Sequence, residues 1–77
     1  MLDLHGCQTA DVVDRVDKFI YQAMQNGKSR VRIMTGKGTG LVKKTVITYL
    51  KQGNYPWHYE KLKTGKPNEG ILVVILA

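Results

Sequence analysis

An aspartate and a histidine stand two residues apart in the stretch Leu2-Asp3-Leu4-His5-Gly6 of this 77-residue chain. A carboxylate beside an imidazole orients the ring, holds one tautomer and suits it to proton transfer near neutrality, the work of a general base or acid. Alternation alone gives a plainer reading, with Leu2 and Leu4 facing a core and Asp3 and His5 on the solvent side of a half-buried strand. Residues two apart on a strand lie about 7 Å apart at Cα, so direct contact requires the strand to end at His5. Gly6 permits that break. His58 has no partner in sequence and reads as an exposed strand residue.

A second stretch, Thr35-Gly36-Lys37-Gly38-Thr39-Gly40, is neither a P-loop nor the GxGxxG dinucleotide fingerprint. Its glycines still let a backbone approach a ligand closely, and the N–H groups that open the following helix favour an anion. Charge points the same way. The first predicted helix carries Asp11 and Asp14 near its start, the usual complement to a helix dipole, whereas the second has no acid and places Lys37, Lys43 and Lys44 around its start. Each such cation costs ~0.3–1 kcal/mol. A phosphate of a bound polymer, held by the N–H groups of Gly36 to Gly40 and by Lys37, would offset that cost.

Twelve Lys and Arg stand against six Asp and Glu, for a formal net charge of +6. Four of the acids (Asp3, Asp11, Asp14, Asp17) fall in the first seventeen residues, and after Asp17 the basic residues face only Glu60 and Glu69. That imbalance is the electrostatic footprint of a nucleic-acid binder. The sequence shows no signal-peptide pattern and no apolar run near the roughly 18 residues of a membrane span, so no membrane partner is expected. Cys7 is the single cysteine and has no signature around it. It reads as an ordinary small side chain, and the lack of a disulfide framework fits a cytoplasmic setting. A chain this short makes one domain, residues 1–77, expected to be monomeric.

These groups need elements to position them. Apolar residues Val12, Val13, Val16, Phe19, Ile20, Ala23 and Met24 recur at helical spacing from Thr9 to Asn26, with Thr9 as N-cap and Gly27 as stop. Arg30-Val31-Arg32-Ile33-Met34 alternates as a strand. A second helix is predicted from about Gly40 to Gln52, ended by Gly53. Trp57 to Leu62 reads as a third strand, TGKPNEG as a turn, and Ile71 to Leu76 as a last strand buried on both faces.

The predicted fold is therefore an α/β two-layer sandwich of order βαβαββ. Its four-stranded mixed sheet has order 1-2-4-3, because the all-apolar last strand belongs inside, and right-handed crossovers put both helices on one face. The open face can then display Arg30 and Arg32. The C-terminal ends of the parallel strands share one edge, where ligand sites favour such sheets. That edge gathers Asp3 and His5, the glycine loop, and Lys61 and Lys63.

Leu2-Asp3-Leu4-His5 and Thr35-Gly36-Lys37-Gly38 match the LDxH and TGxG motifs, and with the element order around them the whole chain resembles the Smr (small MutS-related) domain. The first strand begins almost at the first residue, as in a piece cut from a longer protein. The resemblance implies endonuclease activity, either nicking of DNA or cleavage of RNA, including messenger RNA on stalled ribosomes.

For RNA, the expectation is that His5, oriented by Asp3, takes a proton from a 2′-hydroxyl that attacks the adjacent phosphate, while the loop amides and Lys37 stabilise the developing charge. That route needs no cofactor. For DNA, water must attack, and a divalent metal held by Asp3 becomes relevant. The alternative is a non-cutting adaptor that docks on structured RNA or the ribosome through phosphate contacts from Arg30, Arg32, Lys37, Lys43, Lys44, Lys61 and Lys63.

Overall fold

The computed structural model describes residues 1–36 and 40–76. Its elements follow in the order β1 (Leu2–Asp3), α1 (Thr9–Gln25), β2 (Arg30–Met34), α2 (Leu41–Gln52), β3 (Trp57–Lys61) and β4 (Pro67–Ile75). The sheet order is β1-β2-β4-β3, with β1 parallel to β2 and β4 antiparallel to both β2 and β3. This is the predicted two-layer arrangement. No helix among the described residues is long and apolar enough to cross a membrane.

Alternation in the sheet and helical spacing in the helices meet in one core. Val31 and Ile33 of β2, with Leu72 and Val74 of β4, pack against Val12, Val16, Ile20 and Ala23 of α1 and Val46 and Leu50 of α2. Leu4 joins them at 0% exposure. Burying each such aliphatic side chain contributes about 1.5–3 kcal/mol, so this face of the sheet and these helix stripes hold the domain together. The helices are also clasped to each other by the Tyr49 hydroxyl, which donates to Asp17 Oδ1 at 2.6 Å. Partial burial of the phenol, then the Asp17 carboxylate and neighbouring Tyr55, push the Tyr49 pKa above its ordinary 10.0.

The element ends differ in detail from the sequence reading. Thr9 is the first residue of α1, and Gln8 stands at the N-cap with no side-chain bond to the helix. A tight turn, Cys7 N–H to Leu4 C=O at 3.0 Å, brings the chain into the helix one residue earlier. The C-terminus of α1 ends on Gly27 (φ +71), with Gly27 N–H donating to Met24 C=O and Lys28 N–H to Ala23 C=O.

At the end of α2 the left-handed residue is Asn54 (φ 58) rather than Gly53 (φ −86), and Tyr55 N–H returns to Leu50 C=O at 2.9 Å. Gly53 is required for space instead: a Cβ there would lie 2.5 Å from Tyr55 Cε2. The predicted turn TGKPNEG is also displaced. The hairpin closes over residues 62–66, with Leu62 N–H donating to Lys66 C=O, and Pro67 already pairs with Lys61. A register shift between Tyr59 and Glu60 accommodates this early start of β4.

Candidate active site

Strand β1 is only two residues long, and its register sets Leu2 opposite Ile33 and Asp3 opposite Met34. Leu4 N–H donates to Met34 C=O at 2.8 Å, and the chain then turns through Gly6 (φ +78). The expected strand break comes before His5. Asp3 Oδ1 accepts the backbone N–H of His5 at 2.8 Å. The carboxylate therefore braces the turn that carries the histidine, and the hydrogen bond goes to His5's backbone rather than to its ring.

That turn delivers the imidazole to the second motif. A Cβ on Gly36 would lie 3.7 Å from His5 Cδ2, so the histidine ring rests beside the backbone of the glycine loop. Gly36 adopts φ +77, a left-handed conformation in which an L side chain is strained. Behind it, Gly70 C=O accepts both Thr35 N–H (2.9 Å) and Gly36 N–H (3.3 Å). Thr35 is buried, and its hydroxyl donates to Gly36 C=O at 3.4 Å.

Within the predicted phosphate loop these two residues thus anchor the loop to β4, and the Gly36 amide is already engaged. Lys37, Gly38 and Thr39 lie outside the described residues. Gly40 (φ +85) is the N-cap of α2, and a glycine offers no side-chain oxygen to the first turn, which also carries no acid. The contrast with Asp11 in the first turn of α1 stands as expected.

The predicted basic residues divide between the two layers. Arg30 and Arg32 alternate with buried Val31 and Ile33 and so lie on the open face of the sheet. Arg32 is held there by Glu60, Nη2 to Oε1 2.7 Å and to Oε2 2.8 Å, across the intervening β4. Lys61 shares the same concavity as Arg30 and Arg32. Lys43 instead sits in the helix layer with its Nζ 5.5 Å from the Tyr59 ring centroid, and Lys44 lines a groove between α1 and α2. Lys63 is in the hairpin turn. The predicted contact residues therefore do not form one patch: Arg30, Arg32 and Lys61 line one concavity, Lys43 and Lys44 lie on α2, and Lys63 is in the turn.

One residue read as merely exposed belongs to this geometry. His58 lies opposite Val73, which lies opposite Arg32, and it lines the same concavity as Arg30 and Lys61. The signal was present in the alternation Trp57-His58-Tyr59: once the two aromatics pack on the core, the histidine must face away. Among the described residues no three His, Cys, Asp or Glu side chains cluster.

Comparison with known proteins places this arrangement. The Smr domain family model matches residues 2–77. The chain is 33% identical over 75 residues to "Endonuclease MutS2" of Clostridium botulinum and 35% identical over 75 residues to that of Symbiobacterium thermophilum, covering 97% of this chain in both cases. It spans 10% of the length of each of those relatives. The crystal structure of the Smr domain of Thermus thermophilus MutS2 superposes with a TM-score of 0.82 at 28% identity, covering 99% of this chain and 95% of that one. Motifs, sheet order and family match agree, and the chain belongs to the Smr domain family.

Proposed function

We propose that this chain is a nucleic-acid endonuclease domain that cleaves phosphodiester bonds in RNA or DNA. The observation that supports the reading is the His5 ring against Gly36, which sets the histidine of the LDxH motif beside the first glycine of the TGxG motif. A phosphate held at Gly36 would lie beside that imidazole, and the lysine and glycines that follow in the sequence suit an anion.

On RNA, His5 takes the 2′-hydroxyl proton, the 2′-oxygen attacks phosphorus, the P–O5′ bond breaks, and a 2′,3′-cyclic phosphate and a 5′-hydroxyl result. The 5′-oxygen takes its proton from solvent. On DNA water attacks phosphorus as His5 takes its proton, one P–O ester bond breaks, and a phosphate monoester and a sugar hydroxyl, protonated from solvent, result. Asp3 acts through the backbone, holding the turn that aims His5. The net charge of +6 supports a nucleic-acid partner, and structured RNA, including that of a ribosome, belongs to the same proposal.

The rival reading, a basic adaptor that binds without cutting, has one observation in its favour: Asp3 bonds to the His5 amide, as a simple loop brace would. Wild type and His5→Ala are incubated with labelled single-stranded RNA, duplex RNA and supercoiled DNA, with and without a chelator. Cleavage by wild type that is lost in His5→Ala supports the nuclease. Binding without cleavage of any substrate leaves the adaptor.

A further inference from the structure

We propose that the open face of the sheet carries a second phosphate-binding site, built from Arg30, His58 and Lys61, that grips the polynucleotide several nucleotides from the bond beside His5. The inference rests on the nucleic-acid reading above and adds a location and a pH dependence to it.

The concavity, about 680 Å³, runs from the open face of the sheet past the β2 edge, which β1 leaves uncovered at Arg30 to Arg32, to Phe19, Gln22, Ala23 and Asn26 of α1. Its charged side chains are Lys28, Arg30, Arg32, Glu60 and Lys61. Glu60 is the only acid among them, and it is committed to Arg32. The Arg32–Glu60 pair is also the only ion pair among the described residues, so Lys28, Arg30 and Lys61 carry their charge into the concavity without a carboxylate partner. Three unmatched cations around a groove attract an anion that is itself multiply charged and extended, which a nucleic-acid backbone is.

His58 supplies a directed donor. Its Nδ1 lies 2.9 Å from Tyr59 C=O, and a carbonyl only accepts, so Nδ1 carries the hydrogen and Nε2 is the nitrogen left to a ligand. In neutral imidazole Nε2 bears a lone pair and repels a phosphate oxygen. When protonated it donates to one. The groups lining the concavity with it are Arg30 and Arg32 from β2, Glu60 and Lys61 from β3, Lys28 from the α1–β2 connection and Met1 with its amino group, while β4 offers the apolar Val73 and α1 only uncharged side chains. A phosphate oxygen is therefore held better by the protonated ring than by the neutral one.

Position relates the groove to the first site. His58 and Arg32 share a register level, and Arg32 precedes Gly36 by four residues, or ~13 Å along an extended chain. That distance spans a few phosphates of a single strand. Asp3, opposite Met34, lies on the same open face between the two sites.

The test is fluorescence anisotropy with labelled single-stranded RNA of about twelve nucleotides, long enough for both sites, and of about three, enough for one. Both are titrated near pH 7.5 and near pH 5.5, with wild type, His58→Gln and Arg30→Gln. The expected result is that each variant weakens the long RNA several-fold and the short one, which can seat at either site, distinctly less, and that His58→Gln removes most of the gain in affinity at acid pH. Equal loss on both lengths, or an undiminished acid gain in His58→Gln, overturns the second site while leaving the nuclease reading intact. If wild type binds neither RNA at low salt, the nucleic-acid reading fails first and takes this site with it. Circular dichroism melts confirm that the variants are folded.

Discussion

Asp3 holds His5 by the main chain: its Oδ1 accepts the His5 amide at 2.8 Å. An asparagine offers the same acceptor atom without the charge. Asp3→Asn is therefore expected to keep cleavage within a few-fold of wild type, whereas Asp3→Ala, which frees the turn, loses about tenfold or more. A charged partner of the imidazole ring would instead make Asn and Ala equally damaging and move the pH–rate profile. Single-turnover cleavage rates across pH distinguish the two.

His5→Ala removes the proposed base, and a loss of about 10²–10⁴-fold in cleavage with little change in RNA affinity is expected. His5→Gln should behave alike, since an amide fills the space beside Gly36 without taking a proton. A variant that cuts as well as wild type would place the base elsewhere.

The layers of the domain were legible in the sequence because one signal specified them: Val31, Ile33, Leu72 and Val74 alternate or run continuously, and the helix stripes match them. Two features were not. The pairing of Pro67 with Lys61 depends on a register shift at Tyr59 and Glu60 that no local pattern encodes. The Arg32–Glu60 pair joins residues 28 positions apart across β4, so Arg32 reads in sequence as one more unpaired cation. The site was half legible: motif types named Asp3, His5 and Gly36, but which atom Asp3 would hold depended on where β1 stopped.

Glu60→Gln releases Arg32 to solvent and to ligand. An exposed pair of this kind contributes only about 0.2–1 kcal/mol to stability, so the melting temperature should hardly move. RNA affinity should rise two- to tenfold, and the slope of log affinity against log salt should steepen by roughly one contact. Lys37→Ala is expected to do the reverse, weakening binding and flattening that slope by about one.

Gly53→Ala should be destabilising by about 1–3 kcal/mol, because its Cβ would meet the Tyr55 ring at 2.5 Å. Backbone preference alone predicts the opposite sign, since φ −86 suits alanine. Urea denaturation of a double-mutant cycle decides: on a Tyr55→Ala background the same substitution should be neutral or mildly stabilising.

Tyr49→Phe removes the clasp to Asp17 at a cost of about 1 kcal/mol near neutral pH. Because folding raises the phenol's pKa above 10.0, its contribution is complete below about pH 10 and declines as pH rises past that value. The stability gap between wild type and Tyr49→Phe should therefore shrink in alkali. A gap that stays constant from about pH 8 to about pH 11.5 would mean that the phenol titrates alike in the folded and unfolded chains.

Both helices cover the same face of the sheet, and that asymmetry bears on how such a domain changes over evolutionary time. The side chains that keep the chain folded point one way, while Arg30, Arg32, His58 and Glu60 point the other. Mutations on the bare face can accumulate, shift charge and retune substrate choice with little penalty to folding, so one small scaffold can diverge among ligands while its interior stays fixed.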